Sequence, residues 1–137
     1  MPVSLASNTL LRAALRLDAI ASGAMGVILL AGAPWLRGLL GMPQPLLLAA
    51  GAVCLCWGLF VGAVSRRERP TEGVVWAIIV LNAVWVIESA ALLLLGWVQP
   101  TQLGTAFVIV QALAVAALAE LQFVGLTRAR RAAAAAA

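Results

Sequence analysis

The chain has 137 residues, of which 64% are hydrophobic and 10% charged, with a net charge of +4. A soluble domain carries about 25% charged residues, and one this small exposes too much surface to hide so many apolar side chains in a core, so lipid is the solvent this composition implies. The sequence holds no His, no Tyr, no Lys and two Cys, which excludes His-ligated haem, a structural zinc or iron–sulfur centre, Ser-His-Asp or Cys-His catalysis and Schiff-base chemistry.

Four apolar segments follow in chain order. The first runs from about Asn8 to Gly32, capped by Ser7 or Asn8. The second runs from Pro45 to Ser65, the third from Glu72 to Trp97, and the fourth from Thr101 to Thr127. Each is long enough, at about 1.5 Å per residue, to cross a hydrocarbon core of about 30 Å. None carries the charged stripe of a water-soluble bundle helix. Between the first two, Trp35, Leu36, Leu39 and Leu40 suggest a short interfacial helix anchored by Trp35. Arg66-Arg67-Glu68-Arg69-Pro70 and Val98-Gln99-Pro100 are tight connections, which make sequential helices antiparallel neighbours. The expected fold is all-α: a single domain over residues 1–131, a polytopic up-down bundle of four transmembrane helices. Residues 132–137 are a low-complexity Ala tail, either an appended stretch or a frayed helix end, set aside from fold reasoning. A signal peptide ending at Ala31-Gly32-Ala33 is a competing reading of the first third, opposed by Pro34 directly after it.

The positive charge comes entirely from nine Arg. Arg12, Arg16, Arg66, Arg67, Arg69, Arg128, Arg130 and Arg131 fall at one end of the bundle, and only Arg37 falls at the other. They read as topology signals rather than as a nucleic-acid surface. The positive-inside rule then puts both termini in the cytoplasm. Trp35 and Trp97 mark the outer interface and Trp76 the inner one. Arg-only usage beside abundant Ala fits a GC-rich bacterial genome, so the expected location is the bacterial cytoplasmic (inner) membrane. Cys54 and Cys56 stand about 200° apart on a helix and read as packing residues, not as a disulfide.

Leu39-Leu40-Gly41-Met42-Pro43-Gln44-Pro45 resembles Leu94-Leu95-Gly96-Trp97-Val98-Gln99-Pro100 in a second outer turn. A duplication of one hairpin would relate the two halves by an axis along the membrane normal. Convergence on Gly as a helix stop and Pro as a helix start gives the same pattern.

Ionisable groups inside a span are functional candidates because insertion costs about 2.5–3.5 kcal/mol at a helix centre. The third segment carries Asn82, Trp85 and Ser89 on one face, with Glu88 at its edge, about 100° from Ser89. Gln111 shares a stripe of the fourth segment with Gly104, Val108, Leu118 and Gln122. Glu88, Asn82, Ser89, Trp85 and Gln111 therefore form a candidate intramembrane polar site. Glu88 is either a coupling carboxylate or polar glue between helices. Arg12, Arg16, Asp18 and Glu120 form a second candidate, a charge cluster at the inner interface. Arg16 is expected to pair with Glu120, and the Arg set has the chemistry to bind an anionic lipid head group. Ser22 and Gly26, and Ala112, Ala116 and Ala119, offer small-residue stripes for close helix contact within the monomer or a homo-oligomer.

The size, the N-in/C-in topology, the Arg16-Leu17 start and the glycines Gly23 and Gly26 resemble small four-helix bacterial inner-membrane proteins of the DoxX-like kind. The Gly-x-x-Lys-type signature of DoxX proteins is absent, since the chain has no Lys. Small multidrug exporters also have four short helices, but their key carboxylate lies in the first helix and Glu88 lies in the third. No residue role is carried over from either family. The sequence reading is a non-enzymatic accessory, scaffold or lipid-interacting membrane component with no cofactor. Its partners are membrane lipid, further copies or a larger membrane complex. The alternative is a small oligomeric proton-coupled transporter or exporter using Glu88.

Overall fold

The structure is a computed structural model and describes residues 8–137. Its described residues form four helices: α1 (Thr9–Leu40), α2 (Gln44–Ser65), α3 (Glu72–Leu94) and α4 (Gln102–Ala135). All four are long and apolar enough to cross a membrane, the make-up of a multi-pass membrane protein. No strand occurs among the described residues.

The side chain of Asn8 accepts from the Leu10 amide at 2.9 Å and so caps α1. Ser7, the other expected cap, lies outside the described residues. α1 does not stop near Gly32, and no separate interfacial helix forms. It continues through Pro34 to Leu40 and ends on Gly41, whose φ of 66° is left-handed. A proline inside a helix removes one hydrogen bond and costs about 3 kcal/mol, so something must hold the far turn in place. The hold comes from the start of α4. The Thr101 amide donates to the Leu40 carbonyl at 3.0 Å. The Thr101 hydroxyl donates to the Leu39 carbonyl at 2.8 Å and accepts from the Gly104 amide at 3.0 Å. One residue thus caps the end of α1 and the start of α4. Gly104 packs so tightly on the Leu40 carbonyl that it leaves no room for a Cβ.

α2 begins at Gln44, one residue before its expected start at Pro45, and ends at Ser65 as expected. α3 is shorter than expected. It stops at Leu94, and Gly96 takes a left-handed φ of 67°. α4 is longer than expected and carries the Ala run to Ala135, in keeping with the high helix propensity of Ala.

In space the order is α2, α1, α4, α3: α1 packs on α2 and α4, and α4 packs on α3. The expectation that all sequential helices are neighbours therefore fails for α2 and α3, which make little backbone contact. Gly41 and Gly96 share a conformation, as the repeat anticipates. Yet an axis relating the two hairpins would make α2–α3 equivalent to α1–α4, and the packing lacks that equivalence.

The α1–α2 contact is made by backbones. A Cβ on Gly26 would stand 2.6 Å from the Leu55 amide nitrogen, and one on Gly58 would stand 2.7 Å from that of Gly23. Small residues that allow this approach drive helix association in lipid, where apolar burial gives no net gain. At the Arg-rich end all four helices meet in one cluster, built on Leu11, Leu15, Val61, Val64, Val75, Ile78 and Leu126. The far-end cluster draws its buried residues, such as Leu29, Leu47 and Val108, from α1, α2 and α4 and the α1–α2 turn. Polar side chains fill the space between.

Candidate functional site: a buried polar layer

Leu11, Leu15 and Asp18 lie at i, i+4 and i+7 on the inward face of α1, and all three are buried. Asp18 is 1% exposed, Gln122 of α4 0% and Asn82 of α3 4%. The Asn82 Nδ2 donates to Asp18 Oδ2 at 2.8 Å and to Gln122 Oε1 at 3.1 Å. The Gln122 Nε2 donates to Asp18 Oδ2 at 2.7 Å. The Ser22 hydroxyl, one turn along α1, donates to Asp18 Oδ1 at 3.1 Å. Three helices are thus joined through one carboxyl group that receives three donors.

Depth follows from helical rise. Asn82 is the eleventh of the 23 residues of α3, which puts the layer near the middle of that helix. Asp18 lies about 14 Å from the start of α1 and Asn82 about 15 Å from the start of α3, so the two are level. Asp18 therefore belongs to mid-span, not to the inner interface where the sequence reading put it.

Further from the Arg-rich end, one to two turns along α3 and three along α4, the two helices share a second network. The Trp85 indole donates to Gln111 Oε1 at 2.8 Å. The Gln111 Nε2 donates to the Ser89 hydroxyl at 2.9 Å and to the Val108 carbonyl at 3.0 Å. The Ser89 hydroxyl donates to the Trp85 carbonyl at 2.8 Å.

The structure therefore brings Asn82, Trp85, Ser89 and Gln111 to the α3–α4 seam, but in two networks. It does not bring Glu88 there. Glu88 is exposed on the outer side of α3 and makes no hydrogen bond or ion pair among the described residues. The reason is helical phase. The buried face of α3 is narrow because α4 is its one extensive neighbour, so a residue about 100° off the Ser89 stripe already faces outward.

The second candidate cluster also separates. Arg16 and Glu120 are both exposed and do not pair. Each stands two residues, about 200°, from an inward residue, Asp18 and Gln122 respectively. Turning the latter inward turns the former out. The ion pair that does form joins Arg130 Nε of α4 to Glu72 Oε1 of α3 at 3.2 Å. Arg12 is half-buried and lines, with Leu11, Leu15 and Arg67, a small recess at the Arg-rich end of about 10 Å³, close to the minimum for one water.

Gln122 and Ser22 were not among the sequence candidates. Their signals were present: Gln122 lies eleven residues, three full turns, from Gln111, and Ser22 lies one turn from Asp18. Cys54 is half-buried and Cys56 exposed, both as free thiols. The indole nitrogen of Trp57 is buried without a hydrogen-bond partner.

Chemically, the layer satisfies a carboxylate without a cation. The polar atoms touch each other directly, so no gap between them admits a metal ion. Hydrogen bonds between helices in a membrane are worth about 0.6 kcal/mol on average and up to about 1.7, and bonds to a charged acceptor are about twice as strong as neutral ones. Three of them are of the right size to offset an insertion cost of about 3 kcal/mol.

The fold and this layer define a class, the all-α multi-pass membrane protein with a polar core. Comparison with protein-family models, with curated proteins and with solved structures returned no match.

Proposed function

We propose that the chain is a non-enzymatic accessory or scaffold component of the bacterial inner membrane, with both termini cytoplasmic, that acts through its lateral surface on lipid and on a partner protein or further copies. The observation that supports this reading is the division of its polar groups. Asp18, Asn82, Gln122, Trp85, Ser89 and Gln111 are spent on one another, inside the bundle. Glu88 of α3 stands outward, amid the exposed apolar residues Val84 and Ile87, and Glu120 of α4, two residues from Gln122, stands outward as well. A carboxyl group facing lipid is costly, and a neighbouring helix that offers a donor recovers that cost. The outline resemblance to DoxX-like proteins and the Arg distribution fit the same reading.

The test is native mass measurement after nanodisc extraction, combined with a photo-crosslinker at Val84. A defined protein adduct that is lost in Glu88→Leu is expected. A monomer crosslinked to lipid alone refutes the proposal. The transporter reading must place Glu88 at an interface between copies, since no polar group among the described residues bonds it. It requires that Glu88→Gln abolish pH-dependent flux while leaving the fold intact.

A further inference from the structure

We infer that the Arg-rich end of the α1–α2 seam is a binding site for the phosphate of one anionic phospholipid, held by Arg12, Arg16, Arg66 and Arg67. The inference deepens the lipid part of the function proposed above and rests on its membrane placement. It starts from one stripe of α1. Arg12, Arg16, Ala19, Gly23 and Gly26 follow at alternating steps of four and three, so they share a face. The far part of this stripe packs on α2, which runs the other way: Gly26 lies against Gly51 and Leu55, Gly23 and Ala19 against Gly58, and Ala19 against Gly62. One turn further along, α2 ends at Ser65. The stripe therefore delivers Arg12 and Arg16 to the place where Arg66 and Arg67 follow α2. The recess at that place fits this register, since Arg12 and Arg67 line it together with Asn8 and Ser65.

Four cations meet there without a matching anion. α2 contains no acid, and the one acid of α1, Asp18, is turned inward and bonded in the polar layer. Residues 1–7 hold no acid. The only ion pair among the described residues, Arg130 with Glu72, joins α4 to α3, and Glu68 is a single exposed acid between Arg67 and Arg69. Arg12 and Arg16, one turn apart, repel each other. Arg12 also stands beside the first turn of α1, where the helix dipole is positive and no acidic residue compensates it. It is half-buried, so salt screens it less than an exposed charge. A topology signal needs only charge on the correct side of the membrane, not convergence on one seam. A phosphate brings negative charge and the oxygen acceptors that guanidinium forks bind. The recess holds about 10 Å³, the room of one water, so it takes one phosphate oxygen and leaves the rest at its mouth. A lipid fits better than a free anion because α2 carries an open apolar groove of about 440 Å³ lined by Val53, Cys56, Trp57 and Phe60. These residues lie about 8 to 18 Å along the helix from Ser65, the depth of the acyl chains in one leaflet, which is about 15 Å, half of the hydrocarbon core.

The full chain is placed in nanodiscs of phosphatidylcholine with a minority of phosphatidylglycerol. Lipids that stay bound on release are counted by native mass spectrometry, with circular dichroism as the control for fold. Nanodiscs expose both faces, so a changed direction of insertion does not enter the readout. One phosphatidylglycerol retained in preference to phosphatidylcholine is expected. An Arg beside an anionic lipid surface contributes about fivefold in affinity, so Arg12→Gln with Arg67→Gln should lower the preference about thirtyfold. Arg16→Gln with Arg66→Gln, both at exposed positions, carries the same expectation should the first pair disturb α1. Arg128→Gln with Arg131→Gln removes as much charge from the end of α4 and should leave the bound lipid in place. An equal loss in the α4 pair, or no preference for phosphatidylglycerol in the parent, overturns the site. Displacement of the lipid by inorganic phosphate at matching concentration overturns the lipid as occupant. The protein adduct at Val84 is read separately on α3, so failure of this site and failure of the partner reading are distinguishable.

Discussion

Replacing Asn82 by Leu removes the one side chain that bonds both Asp18 and Gln122. Two hydrogen bonds, at 2.8 and 3.1 Å, disappear. At the membrane average they are worth about 1.2 kcal/mol together. The larger effect is what remains: Gln122 Oε1, in a side chain 0% exposed, keeps no donor, and a buried polar atom left unpaired costs about 1–3 kcal/mol. The expected loss is about 2–4 kcal/mol, read by reversible titration with denaturing detergent in mixed micelles and followed by circular dichroism. The layer is also expected to behave as a unit. The triple variant Asp18→Leu, Asn82→Leu, Gln122→Leu should regain most of the loss, because it removes every unpaired partner at once, and the freed Ser22 hydroxyl can bond its own helix. A single variant within about 0.5 kcal/mol of the parent, the range of substitutions that touch nothing, refutes the reasoning. So does a triple variant less stable than Asn82→Leu alone.

Gly26→Ala should cost about 1–3 kcal/mol by overpacking, since its Cβ meets the backbone of α2 at 2.6 Å, whereas Gly23→Ala, with nothing within 4 Å of its Cβ, should gain up to about 1 kcal/mol of helix propensity; detergent titration of both checks the contrast. Thr101→Val removes the cap of α4 and a bond to the end of α1. It should cost about 1–2 kcal/mol and speed amide exchange at Gly104. For topology, a Cys-free protein carrying Glu68→Cys should react with an impermeant maleimide only from the cytoplasmic side, and one carrying Gln99→Cys only from the opposite side. The reverse pattern would overturn the assignment drawn from the Arg.

The spans were legible because a bilayer fixes the length of any crossing helix, so long apolar runs carry the answer locally. The turn glycines Gly41 and Gly96 were legible for the same reason, as their effect is confined to one residue. Helical phase was not. Arg16 and Asp18 are two residues apart, as are Glu120 and Gln122, and composition treats each pair as one charged or polar spot. Which member faces inward depends on where the neighbouring helix lies. The continuation of α1 past Pro34 was hidden more deeply, because the residues that hold it, Thr101 and Gly104, lie more than sixty residues further along the chain. Glu88 failed for a related reason. Its distance from the seam follows from α3 having one extensive neighbour, a fact of helix order that no local pattern carries.

The helices are held by two kinds of contact, and these differ in how they respond to change. α2 is fixed to α1 by backbone approach at Gly26 and Gly58, which involves no ionisable group. α3 is fixed by side-chain bonds to Asp18, Gln122 and Gln111, by the Glu72–Arg130 pair and by Val75 and Ile78 in the apolar cluster at the Arg-rich end, with little backbone contact to α2. Loss of the layer should therefore release α3 before it affects α1 or α2. In Asn82→Leu, a loss of about 2–4 kcal/mol confined to α3 corresponds to more than tenfold faster amide exchange there, with α2 unchanged. Equal acceleration in α2 and α3 would mean that the bundle opens as one unit, and that the polar layer stabilises all four helices rather than tethering one.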